Sequence, residues 1–195
     1  FDLAAAEAVC GDDPLDPLDV MDLLASLVEK SLVMLDESGE TSRYRMLETL
    51  RDYAREKLEQ GGGLAPTAQR HVDHFFAFAK ESGRGLRGPE QAEWTARTEA
   101  ELDNLRAAIA AALSGVAEPV LAVKFAVALQ GFWTLRGRSS EGRAVVREAL
   151  ALAEVQALDI AKAWALYVGA ALADNQSDYA EARRMLEECL ALRRG

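Results

Sequence analysis

Residues 42–63, SRYRMLETLRDYAREKLEQGGG, decide how the first third of this chain is read. Arg43, Tyr44, Arg45 and Met46 alternate charged and apolar, the two-residue period of a strand with one buried face. From Leu47 the period changes. Leu47, Leu50, Tyr53, Ala54 and Leu58 recur at helical spacing, and Gly61, Gly62 and Gly63 end the pattern. A strand therefore feeds straight into an amphipathic helix. Before it, SLVMLD (31–36) reads as the partner strand, and ESGE (37–40) as the turn, with Gly39 for positive φ. Alternation puts Arg43 and Arg45 together on the solvent face of this hairpin.

Two helices precede the hairpin. In DPLDVMDLLASLVEK, Asp16 suits the N-cap, Pro17 the first helical position and Asp19 the positive end of the helix dipole. Val20, Leu23, Leu24, Leu27 and Val28 form its apolar stripe. FDLAAAEAVC has apolar residues at 1, 4, 5, 8 and 9 and stops at Gly11. Helix, helix, hairpin, helix is the order of a winged-helix domain, and it spans residues 1–60.

Charge argues about what such a domain can bind. Residues 1–63 hold fifteen acids and six bases, a net of −9, leaving −1 for residues 64–195 out of the total of −10. Phosphate contacts supply most non-specific affinity for DNA, so this field counts against direct DNA binding.

The second part reads as helical throughout. GGGLAPT suggests a linker, and residues 61–118 a linker and helical connector. TAQRHVDHFFAFAKES has Val72, Phe75, Phe76 and Ala79 on one side. EQAEWTARTEAELDNLRAAIAAALSG is one long helix or two with a bend. EGRAVVREALAL (141–152) then aligns without gaps on EARRMLEECLAL (181–192), a period of 40 residues. Each copy follows a helix rich in small and aromatic residues. Repeated helix pairs are the mark of an α-solenoid, because one pair cannot bury its own apolar face. The fold class is thus mainly α: a partial winged-helix domain with one β-hairpin, then helical pairs over 119–195. Four helices near 120–136, 139–153, 160–175 and 178–193 are expected.

Chemistry is sparse. There is no phosphate-binding G-x-x-x-x-G-K-[ST] loop and no G-x-S-x-G elbow. His71 and His74, the two histidines, flank Asp73 without an evident further ligand, so no metal is expected. Glu187-Glu188 and Asp12-Asp13 read as a solvated face and a turn. Trp94, Trp133 and Trp164 fall in helices, where core packing accounts for them. No enzyme and no cofactor are expected. The two cysteines, Cys10 and Cys189, lie far apart, and nothing resembles a signal peptide or a membrane span, which fits a cytoplasmic protein. Phe1 in place of methionine, and the helical ending ALRRG, suggest a piece of a longer chain.

FDLAAAEAVC, LLASLVEKSLVML, RYRMLETLRDYAREKL, RHVDHFFAFA and EWTARTEAELDNLRAAI together resemble the region after the nucleotide-binding module of bacterial STAND-type ATPases. These include large actinobacterial transcriptional regulators ending in tetratricopeptide-like repeats. In that superfamily the winged helix packs on the nucleotide-binding module, and a Met-His-Asp motif there senses ADP. Met46, Leu47 and Glu48 occupy those places here, a degenerate motif, since Leu47 cannot donate a hydrogen bond. QSDYAEARRMLEECLAL is similar to the second half of a tetratricopeptide unit at Tyr179, Ala182, Leu186 and Leu190. The period of 40 rather than 34 makes the repeats divergent.

The resemblance implies a non-catalytic regulatory fragment that couples a protein or peptide partner, or the chain's own upstream ATPase module, to the winged helix. The alternative is a transcription factor whose winged helix binds DNA, with a helical effector domain. It also implies a groove along the first helix of each pair: Trp164, Tyr167, Ala171, Asp174 and Asn175, and one repeat earlier Lys124, Val127, Gly131, Thr134 and Leu135. These aromatics either face that groove or pack against a following repeat.

Overall fold

The computed structural model describes residues 1–11, 15–37 and 42–194. The expected turn at Gly39 and the Asp12-Asp13 pair lie outside the described residues. The chain forms two compact units, Phe1–His74 and Phe75–Gly195, and the division falls inside one helix.

In the first unit, α1 (Leu3–Cys10) is capped by Asp2, whose carboxylate accepts from the Ala5 N–H at 2.8 Å. Helix α2 (Pro17–Glu29) is capped by Asp16, which accepts from the Leu18 N–H at 2.9 Å, with Pro17 in its first turn. Gly11 joins them where only glycine fits: a Cβ there would stand 2.5 Å from the Glu7 carbonyl oxygen and 2.7 Å from Pro17 Cγ. Ala6, Val20 and Leu24 form the buried cluster, with Phe1, Leu3, Leu15 and Tyr44 packed around it. The α1 face is rotated from expectation: Ala5 and Ala6 are buried and Ala4 and Ala8 exposed. On α2, Val20 and Leu24 are buried, but Leu23 is exposed.

Strands β1 (Met34–Asp36) and β2 (Arg43–Arg45) pair antiparallel, with Leu35 opposite Tyr44. The first strand is shorter than the six residues read from sequence. Ser31 takes a left-handed φ of +58°, and the N–H groups of Ser31, Leu32 and Val33 turn back to the carbonyls of Val28 and Leu27, so this segment caps α2. Tyr44 donates its N–H to the Phe1 carbonyl at 2.7 Å, and the two rings stack 5.8 Å apart. Helix α3 (Glu48–Gln60) follows, and no residue in it is buried. It ends at Gly62, whose φ of +73° is the left-handed value that a helix stop needs.

Helix α4 (Leu64–Gly85) starts at once, so the expected GGGLAPT linker is a turn of three glycines. Pro66 sits in the first turn, where its missing N–H costs nothing. Arg70 Nε donates to the Val9 carbonyl at 2.7 Å, tying this half of α4 to α1.

The second unit holds the rest of α4, then α5 (Gln91–Ala100), α6 (Leu102–Leu113), α7 (Val120–Leu135), α8 (Ser139–Ala151), the short α9 (Ala153–Gln156), α10 (Asp159–Asn175) and α11 (Tyr179–Arg194). The candidate long helix is thus two helices, broken at Glu101. Helices α7 and α8 pair, α10 and α11 pair, and α10 also packs on both α7 and α8. Phe125, Leu129, Phe132, Trp133, Leu166 and Leu172 are the large side chains at the centre.

The two pairs solve one packing problem differently. A Cβ on Gly142 would lie 2.4 Å from Trp133 Cε3, so the tryptophan fills the space that glycine leaves. Forty residues later both places hold alanine, Ala173 and Ala182, which share a buried cluster. Gly169 similarly faces Met185: a Cβ there would lie 2.8 Å from its sulfur. Side chains also bridge the elements. Arg106 forks onto Glu141 at 2.7 and 2.9 Å, Arg143 reaches Asp178 at 2.6 Å, and Lys162 reaches Glu188 at 2.8 Å. The hydrogen bond from Arg143, then that from the Glu181 N–H, holds the Asp178 carboxyl below its ordinary pKa. Partial burial pushes the Glu99 carboxyl upward, but the hydrogen bonds and charges of Arg136 and Arg138 outweigh it and leave it lowered.

Two glycines of these helices should respond oppositely to substitution. Gly142→Val overpacks against Trp133 and should cost about 1–3 kcal/mol. Gly131 lies on an exposed helix face, and a methyl group placed there would have nothing within 4 Å. Gly131→Ala should gain up to about 1 kcal/mol. Urea denaturation of the two variants tests both signs.

Candidate nucleic-acid interface and helical groove

Alternation along β2 sends Tyr44 into the cluster and turns Arg45 outward, where it lies 4.0 Å from Asp36. Arg43 is half-buried. Arg51, Arg55 and Lys57 are exposed on α3, Arg51 pairing with Glu48 at 3.2 Å and Lys57 lying 5.5 Å from the Tyr53 ring centre. The cations of the unit are concentrated here: residues 42–60 carry five against four acids, whereas residues 1–41 carry Lys30 against eleven acids. Helix α2 offers a different surface. Its outward residues are Leu18, Met21 and Leu23, with Asp19 and Asp22 beside them.

Met46, Leu47 and Glu48 form the junction between β2 and α3. Met46 is half-buried, Leu47 is exposed at the N-cap position, and Glu48 is engaged by Arg51. Of the face read as Leu47, Leu50, Tyr53, Ala54 and Leu58, only Leu50 is half-buried; Leu47, Tyr53 and Leu58 are 52%, 59% and 36% exposed, so most of that face is left open by the described residues. No group of three or more His, Cys, Asp or Glu gathers as a metal site among the described residues, and no helix there is long and apolar enough to cross a membrane.

In the second unit a groove of about 650 Å³ opens between the end of α4, α7 and the start of α10. Lys124, Val127 and Trp164, three of the ten residues assigned to a groove from sequence, line it together. Tyr167 stands edge-on to Trp164, ring centres 6.0 Å apart, and the Arg193 guanidinium lies over Trp164 at 5.2 Å. Gly131, Thr134 and Leu135 are exposed at the far end of α7. Ala171 is half-buried and Asp174 exposed. Asn175 is used otherwise: its side-chain oxygen accepts from the Ser139 hydroxyl at 2.8 Å, fastening α10 to α8. Sequence reasoning missed the α4 wall, Phe76, Lys80, Gly83 and Arg84, with Arg87 beyond it. Their spacing of four, three, one and three residues was the available signal, a single helical stripe.

Exposure sets the worth of each aromatic. Tyr167→Ala should cost about 1 kcal/mol, the loss of one edge-on ring pair. Trp133→Ala, fully buried, should cost about 3–5 kcal/mol. A loss at Tyr167 as large as at Trp133 in thermal or urea unfolding would place Tyr167 in the core.

Residues 1–59 match the family model described as a winged helix-turn-helix domain. Over 142 residues, 73% of this chain, the sequence is 42% identical to the protein named "Putative HTH-type transcriptional regulator Rv0890c" of Mycobacterium tuberculosis (strain ATCC 25618 / H37Rv), and equally to its Mycobacterium bovis counterpart Mb0914c. It is 32% identical over 76 residues, 38% of the chain and 19% of the relative, to the uncharacterized protein Rv0894 of the same M. tuberculosis strain. The chain spans 16% of the length of the first two relatives. No solved structure matches it. These matches overturn the expectation, drawn from charge, that counted against direct DNA binding: a winged helix-turn-helix segment similar to HTH-type regulators points to DNA. The physical reason is that a net charge sums over every face, whereas contact with phosphate depends on where a few cations stand.

Proposed function

We propose that this chain is part of a transcriptional regulator in which the N-terminal winged helix contacts DNA and the helix pairs form an effector region. The observation that carries the proposal is the concentration of outward cations on β2 and α3, within the segment matched as winged helix-turn-helix. Arg45 of the hairpin and Arg51 and Arg55 of α3 would meet phosphates and fix the register of the domain on the duplex. Leu18 and Met21 of α2 could offer apolar contact to thymine methyl groups, while Asp19 and Asp22 would keep that helix from binding phosphate. In this reading the chain does no chemistry of its own. The helix pairs are, in this reading, tetratricopeptide-like repeats, divergent because their period is 40 residues rather than about 34.

Fluorescence anisotropy with a 30-base-pair mixed-sequence duplex tests it. Non-specific binding at physiological salt should fall at a Kd of about 10⁻⁴–10⁻⁶ M and weaken steeply as salt rises. Arg45→Ala should lower the slope of log K against log salt by about 1. Salt-independent binding, or an unchanged slope in the variant, would refute the assignment of Arg45.

A second reading rests on a separate observation, the uncovered Leu47, Tyr53 and Leu58 of α3. Such a face suits a protein neighbour. In this reading the winged helix docks on the nucleotide-binding module that the STAND resemblance implies, and relays the state of the effector region to it. Tyr53→Ala with Leu58→Ala should then alter ATP-dependent behaviour of the full-length protein while leaving the DNA affinity of this chain unchanged. Unaltered nucleotide response in that variant would remove the reading.

A further inference from the structure

The groove between α4, α7 and α10 combines two features seldom found on an idle surface. Its floor is apolar: Phe76, Val123, Val127, Ala128 and Ile160 line it, with Trp164 at one end. Its rim is cationic, with Lys80, Arg84 and Arg87 along one side and Lys124 on the other; no acid is among the lining residues, although Lys124 stands 3.9 Å from Glu118 just outside it and Lys80 lies over the Phe76 ring at 5.3 Å. In a chain of net charge −10, four cations around one apolar trough is a local inversion of sign. The walls are fixed closely. A Cβ on Gly83 would fall 2.6 Å from the Ala128 carbonyl oxygen, so α4 and α7 approach to backbone contact at the base of the groove, and Phe76 packs edge-on to Phe125 at 5.3 Å.

The layout says what would sit there. Lys80 and Arg84 are one turn apart on α4, about 6 Å along its axis, and Arg87 extends the line past the helix end. A row of cations at helical pitch is matched by carboxylates at i and i+4 of another helix. A ligand with one anionic group would need one of these cations. The apolar floor also runs on: Ile160 and Trp164 line a second cavity, of about 430 Å³, with Ala163, Leu192, Arg193 and one acid, Asp159. Ile160 is 77% exposed and Trp164 41%. The trough is thus open and continued at its end, which suits a segment of chain rather than a small enclosed molecule.

We propose that this groove is the docking site for an acidic amphipathic helix of a partner protein, its apolar stripe on Val127, Ile160 and Trp164 and its carboxylates on Lys80, Arg84 and Lys124. Apolar contact supplies affinity and the cations set orientation and the rate of encounter. The groove belongs to the second unit and shares no residue with the DNA-contacting elements, so it would serve as an input surface of the effector region.

The test uses this 195-residue chain and a fluorescein-labelled, helix-stapled 18-residue peptide with leucines at i, i+3 and i+7 and glutamates at the flanking i, i+4 positions. Binding by anisotropy should be saturable and should weaken as salt rises from 50 to 500 mM. Lys80→Glu with Arg84→Glu should weaken it at least tenfold while the thermal unfolding midpoint stays unchanged, because both side chains are exposed. Ile160→Asp, at a residue 77% exposed, should weaken it comparably. A peptide with lysine in place of each glutamate should not bind. Equal binding of the lysine peptide, no effect of the charge reversal, or no binding of the glutamate peptide would each overturn the proposal. Full displacement of the peptide by monomeric dodecanoate would overturn it too, assigning the groove to a small amphiphile. DNA affinity is read in a separate assay, so failure here leaves the winged-helix reading standing.

Discussion

The fit of Trp133 against Gly142 is the contact on which the second unit depends. The indole is 1% exposed and fills the volume that a side chain at 142 would take, between α7 and α8, while Leu172 of α10 closes the same space from the third side. Once that volume is filled, the neighbours have little freedom. Helix α8 must lie close on α7, and α10 must cover both. The cost is visible too. Among the described residues the buried Trp133 indole N–H has no hydrogen-bond partner, a cost that the surrounding apolar contacts must outweigh. In the following pair, Ala173 and Ala182 leave less to fill, and Met185 reaches across to the surface of Gly169 instead. The repeat is kept as a backbone pattern, while its interior is packed by different residues.

This explains which parts could be read from sequence. Period, caps and alternation are local, so the helices of each pair, the Asp16 cap and the outward turn of Arg45 follow from residues a few places apart, whereas Arg43, placed with Arg45 on the solvent face by alternation, is half-buried. The break at Glu101 does not. Both halves of 91–113 favour helix, and no local signal marks Glu101 as the place where α5 ends and α6 begins. Asn175 illustrates another limit. Its position on α10 matched an inner face by analogy, yet its partner, Ser139, lies 36 residues earlier, and no spacing rule reveals that bond. The α4 wall of the groove was hidden for the same reason. Its stripe at Phe76, Lys80 and Arg84 is plain in the sequence, but what faces it is decided by the approach of Gly83 to Ala128.

Net charge misleads in the first unit for a different reason. A sum over 63 residues weighs an acid on α1 the same as one beside the hairpin, although screening confines each to about 8–10 Å at ordinary salt. Acids of the unit are partly committed: Asp2 and Asp16 cap helices, while Asp36 and Glu48 stand near Arg45 and Arg51. What remains is a division of the surface: acidic and apolar along α2, and along β2 and α3 five cations interleaved with four acids. That division, not the total, determines which face could approach a phosphate backbone.

The same division constrains what α3 can do. A helix of thirteen residues is marginal by itself in water, and its stability in a folded protein comes from covering its apolar side. Here that side is open, and with an ideal 100° step per residue Arg51 and Arg55 run along its edge. A neighbour that covered Leu47, Ala54 and Leu58 would therefore reach the cations as well. Protein docking on the stripe and phosphate contact through Arg51 draw on adjoining strips of one helix, so occupancy of the first would restrict the second. If both proposed contacts hold, burial of α3 by a protein neighbour would compete with DNA without any change in the fold of the winged helix.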